Sequence, residues 1–534
     1  MSARPSPEQQ KAIDCVGNVV VTARPGSGKT FTLARMIARE SKGLLSYQGI
    51  IAISYTNKAS GELEDRCKRL GVERGRSFFG TIDSFCVGQV IAPFMTHVTG
   101  HTVDLNLIEN KECEEWAALD GRDPQDVQLR GFIKKRLEDG RIPLGALGPV
   151  ALYILETVPQ ARIFLSSRFT SIFVDEYQDC GIYQHLLMKR LVSYGLRGIA
   201  VGDIDQAIFR FADKSPKYLI ELMKDANFSH FQITENRRCD NAIQAYSLAL
   251  LGLTVSPIDR ANRRVFAIHM QGDETDLAHG IAKTLNLIMQ KYGVDNFNKV
   301  AIIGSGNKTL DSYSATIGIP NKRFGDTPLD HGFTIWRRLL SDLLTYYYDP
   351  SHYSGRFIDR HVGTEINPRR RIQGIELIEE FFSLGEDELT NHIELARRIA
   401  ELCEPKAERE GDLDAFRKTI EDVNALRGSF RPAQQNEVNI LTYHKAKGLE
   451  FDIAFCLEAY RYIMPPFRYE EQAYDAYRQS LAMHYVGITR ARKVCYIMLG
   501  TSRHNKEGFV KIAEPSPFLS LPGLADLRID SRWS

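Results

Sequence analysis

Two short stretches carry residues whose types and order suit chemistry on a nucleotide phosphate. The first is VVVTARPGSGKTFTLARM, residues 19–36. A β-branched apolar run leads into a glycine turn, and Leu33, Met36 and Ile37 then recur at helical spacing. In that strand, loop and helix order, backbone N–H groups around Gly26, Ser27, Gly28 and Lys29 wrap a β-phosphate at the positive end of a helix. The Lys29 ammonium reaches the β/γ oxygens, and the Thr30 hydroxyl suits Mg2+. Ala23 departs from the first position of the GxxxxGK[ST] pattern, and Arg24 and Pro25 precede the glycines. The second stretch is SIFVDEYQD, residues 171–179. At the end of a buried strand, Asp175 is placed to bind the metal, and Glu176 to orient and deprotonate a water. Together the two stretches are the parts expected of a P-loop nucleotide hydrolase, with ATP and Mg2+ as its expected ligands.

These residues need rigid elements beneath them. Short apolar runs at 18–23, 49–55, 171–175, 198–203, 299–305, 438–443 and 451–459 read as buried strands, most followed by a polar turn and a helical pattern. That alternation predicts parallel sheets flanked by helices, an α/β class. The strands fall into two sets, and residues 86–164 and 340–430 show helical periodicity without strand runs. Two α/β cores with helical insertions are expected.

Bulk properties agree with a globular chain. Across 534 residues, 43% are hydrophobic and 25% charged, and 68 Lys and Arg stand against 67 Asp and Glu. The formal net charge of +1 gives no global attraction for polyanions, so any nucleic-acid track must be local. The nine cysteines lack CxxC spacing and read as reduced thiols. With no secretory leader and no long apolar run, a soluble cytoplasmic protein without membrane contact is expected.

The ordered series EQQKAI (8–13), ARPGSGKT (23–30), AISYTNKASGEL (52–63), GTIDSF (80–85), VDEYQD (174–179), VGDIDQAIF (201–209), ENRRC (235–239), TYHKAKGLEF (442–451) and HYVGITRAR (484–492) resembles the UvrD/Rep/PcrA group of superfamily 1 DNA helicases. The resemblance implies two RecA-like domains. The first comprises 1–85 and 165–245, with a helical insertion at 86–164. The second comprises 246–340 and 436–534, with a reduced helical insertion at 341–435.

The resemblance also implies roles. Gln9 reads adenine, Gln206 senses the γ-phosphate, Arg238 and Arg490 are arginine fingers, and Glu450 touches the ribose. Tyr55, Thr56, Asn57, Lys58, Thr81, Ser84, Phe209, Phe211 and His444 line a single-stranded DNA track, where stacking tolerates any sequence. Departures fall at Arg24, at Asp83 where the group has His, at Phe211 and Ala212 where it has Trp-Arg, and at Arg237 where a Tyr stacks on adenine. Arg237 can stack through a cation–π contact, and Arg210 can stand in for the missing arginine. The basic runs KKR (134–136) and RRR (369–371) read as solvated faces or duplex contacts.

Polarity of 3′ to 5′ on single-stranded or 3′-tailed DNA comes from the resemblance alone. The block at 56–94 and the small second insertion look most like the helicase subunit of bacterial Gabija antiphage systems, which implies a GajA-type nuclease partner in a hetero-oligomer. No nuclease signature follows residue 492. Two readings stay open: a translocating helicase, or a nucleotide-gated DNA-end sensor that activates a nuclease. An RNA helicase is a third, since nothing in the motifs reads the 2′-hydroxyl.

Overall fold

The computed structural model describes residues 4–24, 26–54, 57–206, 216–330, 334–349, 353–362, 367–405, 407–408, 411–466, 473–505 and 507–533. It separates into two compact units. The first holds Met1–Glu235 with Gly332–Arg338 and Glu404–Arg409; the second holds Asn236–His331, Leu339–Cys403 and Glu410–Ser534.

The first unit is built on a six-stranded sheet of β1 (Asn18–Ala23), β2 (Gly49–Ile53), β3 (Phe78–Gly80), β4 (Phe169–Val174), β5 (Arg197–Gly202) and β6 (Phe228–Ile233), in the order β3-β2-β4-β5-β1-β6. Every pairing in it is parallel. Val19, Val20, Val21, Ile50, Ile51, Ile172, Phe173, Ile199 and Ala200 are fully buried, as both-face coverage of a parallel sheet requires. Helix α1 (Pro7–Asp14) enters through a capping box at Ser6 and Gln9, and α2 (Lys29–Ser41) begins at Gly28. Further on, α3 (Ile182–Ser193) and α4 (Lys217–Lys224) follow β4 and β5.

The second unit carries a seven-stranded sheet of β7 (Val265–His269), β8 (Val300–Gly304), β9 (Asn321–Arg323), β10 (Val438–Thr442), β11 (Phe451–Cys456), β12 (Ala491–Leu499) and β13 (Arg528–Arg532), ordered β9-β10-β8-β11-β12-β7-β13. Its pairings are also parallel. Both units therefore have the parallel α/β architecture expected of RecA-like domains.

The residues between 86 and 164 are mainly helical, but not wholly. Asn106–Ile108 and Arg141–Pro143 pair as a small parallel ladder whose Leu107, Ile108 and Ile142 belong to the same buried core as Trp116. Three-residue strands are too short to show periodicity, so a reading of 86–164 as helical without strand runs misses them. The described part of 340–430 holds helices and no strand. No helix among the described residues is long and apolar enough to cross a membrane.

Candidate functional site: a phosphate loop and its acids

Arg24, residues 26–30, Asp175 and Asp203 follow the C-terminal ends of β1, β4 and β5, the edge where open parallel sheets place ligands. Gly26 and Gly28 have φ of 77° and 81°, in the left-handed region that glycine enters freely. The turn is closed by Ser27, whose N–H and hydroxyl both donate to the Arg24 carbonyl, at 3.2 and 2.7 Å. Among the described residues no side chain caps the start of α2, and its first turn carries no acid, which leaves the first N–H groups of the helix free of an anionic side chain, as an anion-binding helix start requires.

Lys29 is the centre of the cluster. Its Nζ lies 3.6 Å from Glu176 Oε2 and 3.9 Å from Asp203 Oδ2, and it makes no hydrogen bond among the described residues. Thr30 Oγ1 donates to Asp175 Oδ2 at 3.5 Å, and the Glu176 N–H donates to Asp175 Oδ1 at 2.9 Å. Burial, with the neighbouring Glu176 charge, raises the Asp175 pKa to about 7 against the opposing pull of Lys29. Glu176 itself is held at φ 52°, an unusual conformation for a residue with a side chain. Gln178 fixes it from one side: its amide nitrogen donates to Glu176 Oε2, and its Oε1 accepts the Asp203 N–H at 2.9 Å.

Asp203 and Gln178 were not singled out from the sequence. The signal existed, because Asp203 ends the run GIAVGD just as Asp175 ends SIFVD. Glu8 is a second omission. It accepts from the Thr234 N–H and hydroxyl at 2.7 and 2.8 Å, tying α1 to the segment after β6. Burial alone would raise its pKa, but those bonds outweigh it and the pKa is lowered.

Gln9 is almost fully buried. Its Oε1 accepts the Ser6 N–H at 2.8 Å and its Nε2 donates to the Ser27 carbonyl at 2.8 Å, so both ends of the amide brace the phosphate loop. Thr81 caps the short helix Ile82–Phe85 and shares a 2.9 Å bond with the Ser84 hydroxyl. Asp83 lies 4.0 Å from Arg338. Tyr55, Thr56, Phe209, Arg210, Phe211 and Ala212 lie outside the described residues, as do the side chains of Asn57, Lys58 and Gln206.

In the second unit, Arg238 and Glu450 pair with each other at 2.7 Å. Arg237 precedes Arg238 in a turn organised by Asn236, whose Oδ1 accepts the Arg238 and Cys239 N–H groups at 3.0 and 3.2 Å. Arg490 is buried to 1% exposure, and its guanidinium donates to the carbonyls of Val486 and Leu449 at 3.0 and 3.1 Å. It joins the end of helix Ala473–Ile488 to the approach to β11, so donation to a phosphate requires exchange of those bonds. His444 is mostly buried, and burial followed by the Lys447 charge lowers its pKa. The basic runs sit on helix surfaces. Lys135 and Arg136 pair with Glu115 and Asp139 at 3.7 and 3.1 Å, and Arg371 pairs with Asp359 at 2.7 Å.

Comparison with known proteins agrees with this arrangement. The family model for the UvrD/REP helicase N-terminal domain matches residues 5–139 and 125–227, and that for the UvrD-like helicase C-terminal domain matches 361–502. The chain is 26% identical to Gabija protein GajB of Bacillus cereus (strain VD045) over 505 residues, covering 92% of this chain and 94% of the relative. It is 21% identical to the ATP-dependent DNA helicase PcrA of Bacillus subtilis (strain 168) over 621 residues, covering 92% and 82%. A probable DNA helicase II homolog of Mycoplasma pneumoniae is 21% identical over 632 residues, covering 97% and 86%. With both family models matched in order and the phosphate loop and its acids at one sheet edge, the chain belongs to the UvrD-like helicase family.

Proposed function

We propose that this chain is an ATP-driven DNA translocase and helicase that moves 3′ to 5′ on single-stranded or 3′-tailed DNA. It acts as the helicase subunit of a Gabija-type antiphage complex, alongside a GajA-type nuclease. The observation that carries the motor reading is the convergence of Lys29, Asp175, Glu176 and Asp203 beyond β1, β4 and β5. The Gabija role is supported by similarity to Bacillus cereus GajB along nearly the whole of both chains.

The residues fit ATP with Mg2+. Two carboxylates, Glu176 and Asp203, lie within 4 Å of a buried ammonium that makes no hydrogen bond among the described residues, and Asp175 sits beside them on Thr30, a donor set that favours a further cation and an anionic phosphate. Thr30 and Asp175 would hold the metal. Bound ATP and Mg2+ supply the phosphoanhydride and neutralise charge on its leaving oxygens. The loop N–H groups and Lys29 bind and orient the phosphates, while Glu176 receives the proton of the attacking water at a carboxylate oxygen. Gln178 keeps that oxygen in place. Arg238, once released from Glu450, and Arg490, once its bonds to the Val486 and Leu449 carbonyls exchange, would add positive charge to the transferring group, the role the family resemblance implies for both. Gln9 holds the loop for adenine, with Arg237 able to stack on the base. In this reading the first RecA-like domain is 1–85 with 165–245, the second is 246–340 with 436–534, and 86–164 and 341–435 are insertions.

A second reading, a nucleotide-gated DNA-end sensor that activates the nuclease, is favoured by one observation. The alignment with PcrA runs over 621 positions against a chain of 534, so that motor carries segments this chain does not. The separating experiment is strand displacement by the wild type and by Lys29→Ala. Unwinding that the variant abolishes, with DNA binding kept, supports the motor. ATP turnover without unwinding supports the sensor, and equal unwinding by both proteins refutes the proposed site.

A further inference from the structure

Behind the catalytic turn runs a chain of polar side chains, buried at Tyr177 and His185 and reaching the surface at Glu221, that the hydrolysis scheme does not use. Tyr177 follows Glu176 directly and is fully buried. Its hydroxyl lies 2.9 Å from His185 Nδ1 on α3, and His185 Nε2 lies 3.1 Å from Glu221 Oε1 on α4. The His185 ring stacks on Tyr218 of α4, with centroids 4.9 Å apart and planes 25° from parallel. Lys189 Nζ anchors the outer end, 3.3 Å from the same Glu221 oxygen and 3.5 Å from Asp225.

The direction of this chain follows from chemistry. A carboxylate only accepts, so His185 Nε2 carries the proton, Nδ1 accepts, and the Tyr177 hydroxyl donates. Burial keeps the ring neutral by lowering its pKa, against the opposing pull of Glu221. Every polar atom between Tyr177 and Glu221 is therefore paired in one pattern only.

We infer that Tyr177, His185 and Glu221 form a positioning chain that holds the turn bearing the Glu176 general base and ties it to helix α4. The inference rests on the reading of Glu176 as the base. At φ 52° the Glu176 backbone has little freedom, so its carboxylate goes where the turn goes. Gln178 and Asp203 hold that turn on one side, and the Tyr177 hydroxyl holds it on the other. Packing alone does not require the hydroxyl, because a phenylalanine would fill the same space without a buried donor to satisfy.

The test compares His185→Phe, Glu221→Ala and the double variant Tyr177→Phe/His185→Phe in DNA-stimulated ATP hydrolysis, with thermal unfolding measured in parallel. His185→Phe strands the Tyr177 hydroxyl, whereas the double variant removes both polar partners and restores a satisfied core. Positioning predicts that kcat falls about tenfold in His185→Phe with KM for ATP within about twofold, on the scale of one hydrogen bond. It also predicts that the double variant regains the wild-type melting temperature while kcat stays low. Glu221→Ala, altered at a half-exposed position, shows the same kcat loss in smaller degree. Recovery of kcat together with stability in the double variant, or no loss in any variant, overturns the inference. If Glu176→Gln keeps full turnover, the reading of the base fails first, and the inference with it.

Discussion

Replacing Gly28 by alanine tests whether Gln9 is docked on the phosphate loop as the geometry shows. Gly28 sits at φ 81° and ψ 39°, and a Cβ there would lie 2.7 Å from Gln9 Nε2. Two terms add. A side chain in the left-handed region costs about 1–2 kcal/mol. Displacing Gln9 breaks its bond to the Ser27 carbonyl, a further net loss of about 1 kcal/mol. Gly28→Ala therefore destabilises by about 2–3 kcal/mol in equilibrium urea denaturation. In a Gln9→Ala background only the backbone term remains, so the same substitution costs about 1–2 kcal/mol. The coupling of about 1 kcal/mol belongs to the contact. ATP hydrolysis should show a raised KM in both single variants, because each loosens the loop. An equal cost of Gly28→Ala in both backgrounds would refute the reasoning.

Other outcomes follow from the same structure. Glu176→Gln should lower kcat at least about a hundredfold while fluorescent ATP analogues still bind, since the amide keeps the shape but takes no proton. His484 is fully buried, neither ring nitrogen has a hydrogen-bond partner among the described residues, and burial lowers its pKa to about 4. The unfolded ring protonates below about pH 6.5 and the folded one only near 4, so stability falls as pH drops through that window, by about 2 kcal/mol at pH 5. His484→Leu should flatten that dependence in denaturation measured at pH 7.5 and pH 5. Glu450→Ala should free Arg238 from its ion pair and weaken ATP affinity in a nucleotide titration, and unchanged affinity would remove Glu450 from contact with the ribose.

The buried strands were legible because parallel strands covered on both faces are continuous apolar runs. The runs at 18–23, 198–203 and 438–443 meet β1, β5 and β10 within a residue or so at each end. Edge strands were not. β6 reads FSHFQI with its middle exposed or half-exposed, β13 reads RIDSR, and β9 has three residues, so none shows an apolar run. β12 begins among the charges of Arg492 and Lys493, which mask the apolar residues behind them. At the site, the phosphate loop and Asp175-Glu176 were readable from local order alone. The Tyr177–His185–Glu221 chain and the Lys29–Asp203 pair were not, because each joins residues that only the sheet order brings together. Gln9 was expected to meet a base, but its amide also braces Ser27, a contact that no local pattern reveals.

The central claim is that ATP hydrolysis at this site drives movement along DNA. Its most direct test is steady-state ATP hydrolysis on closed single-stranded circles compared with linear strands of increasing length, at equal nucleotide concentration. The account predicts strong stimulation by circles and a rate that rises with strand length. A rate that ignores circles and follows the concentration of ends would contradict it.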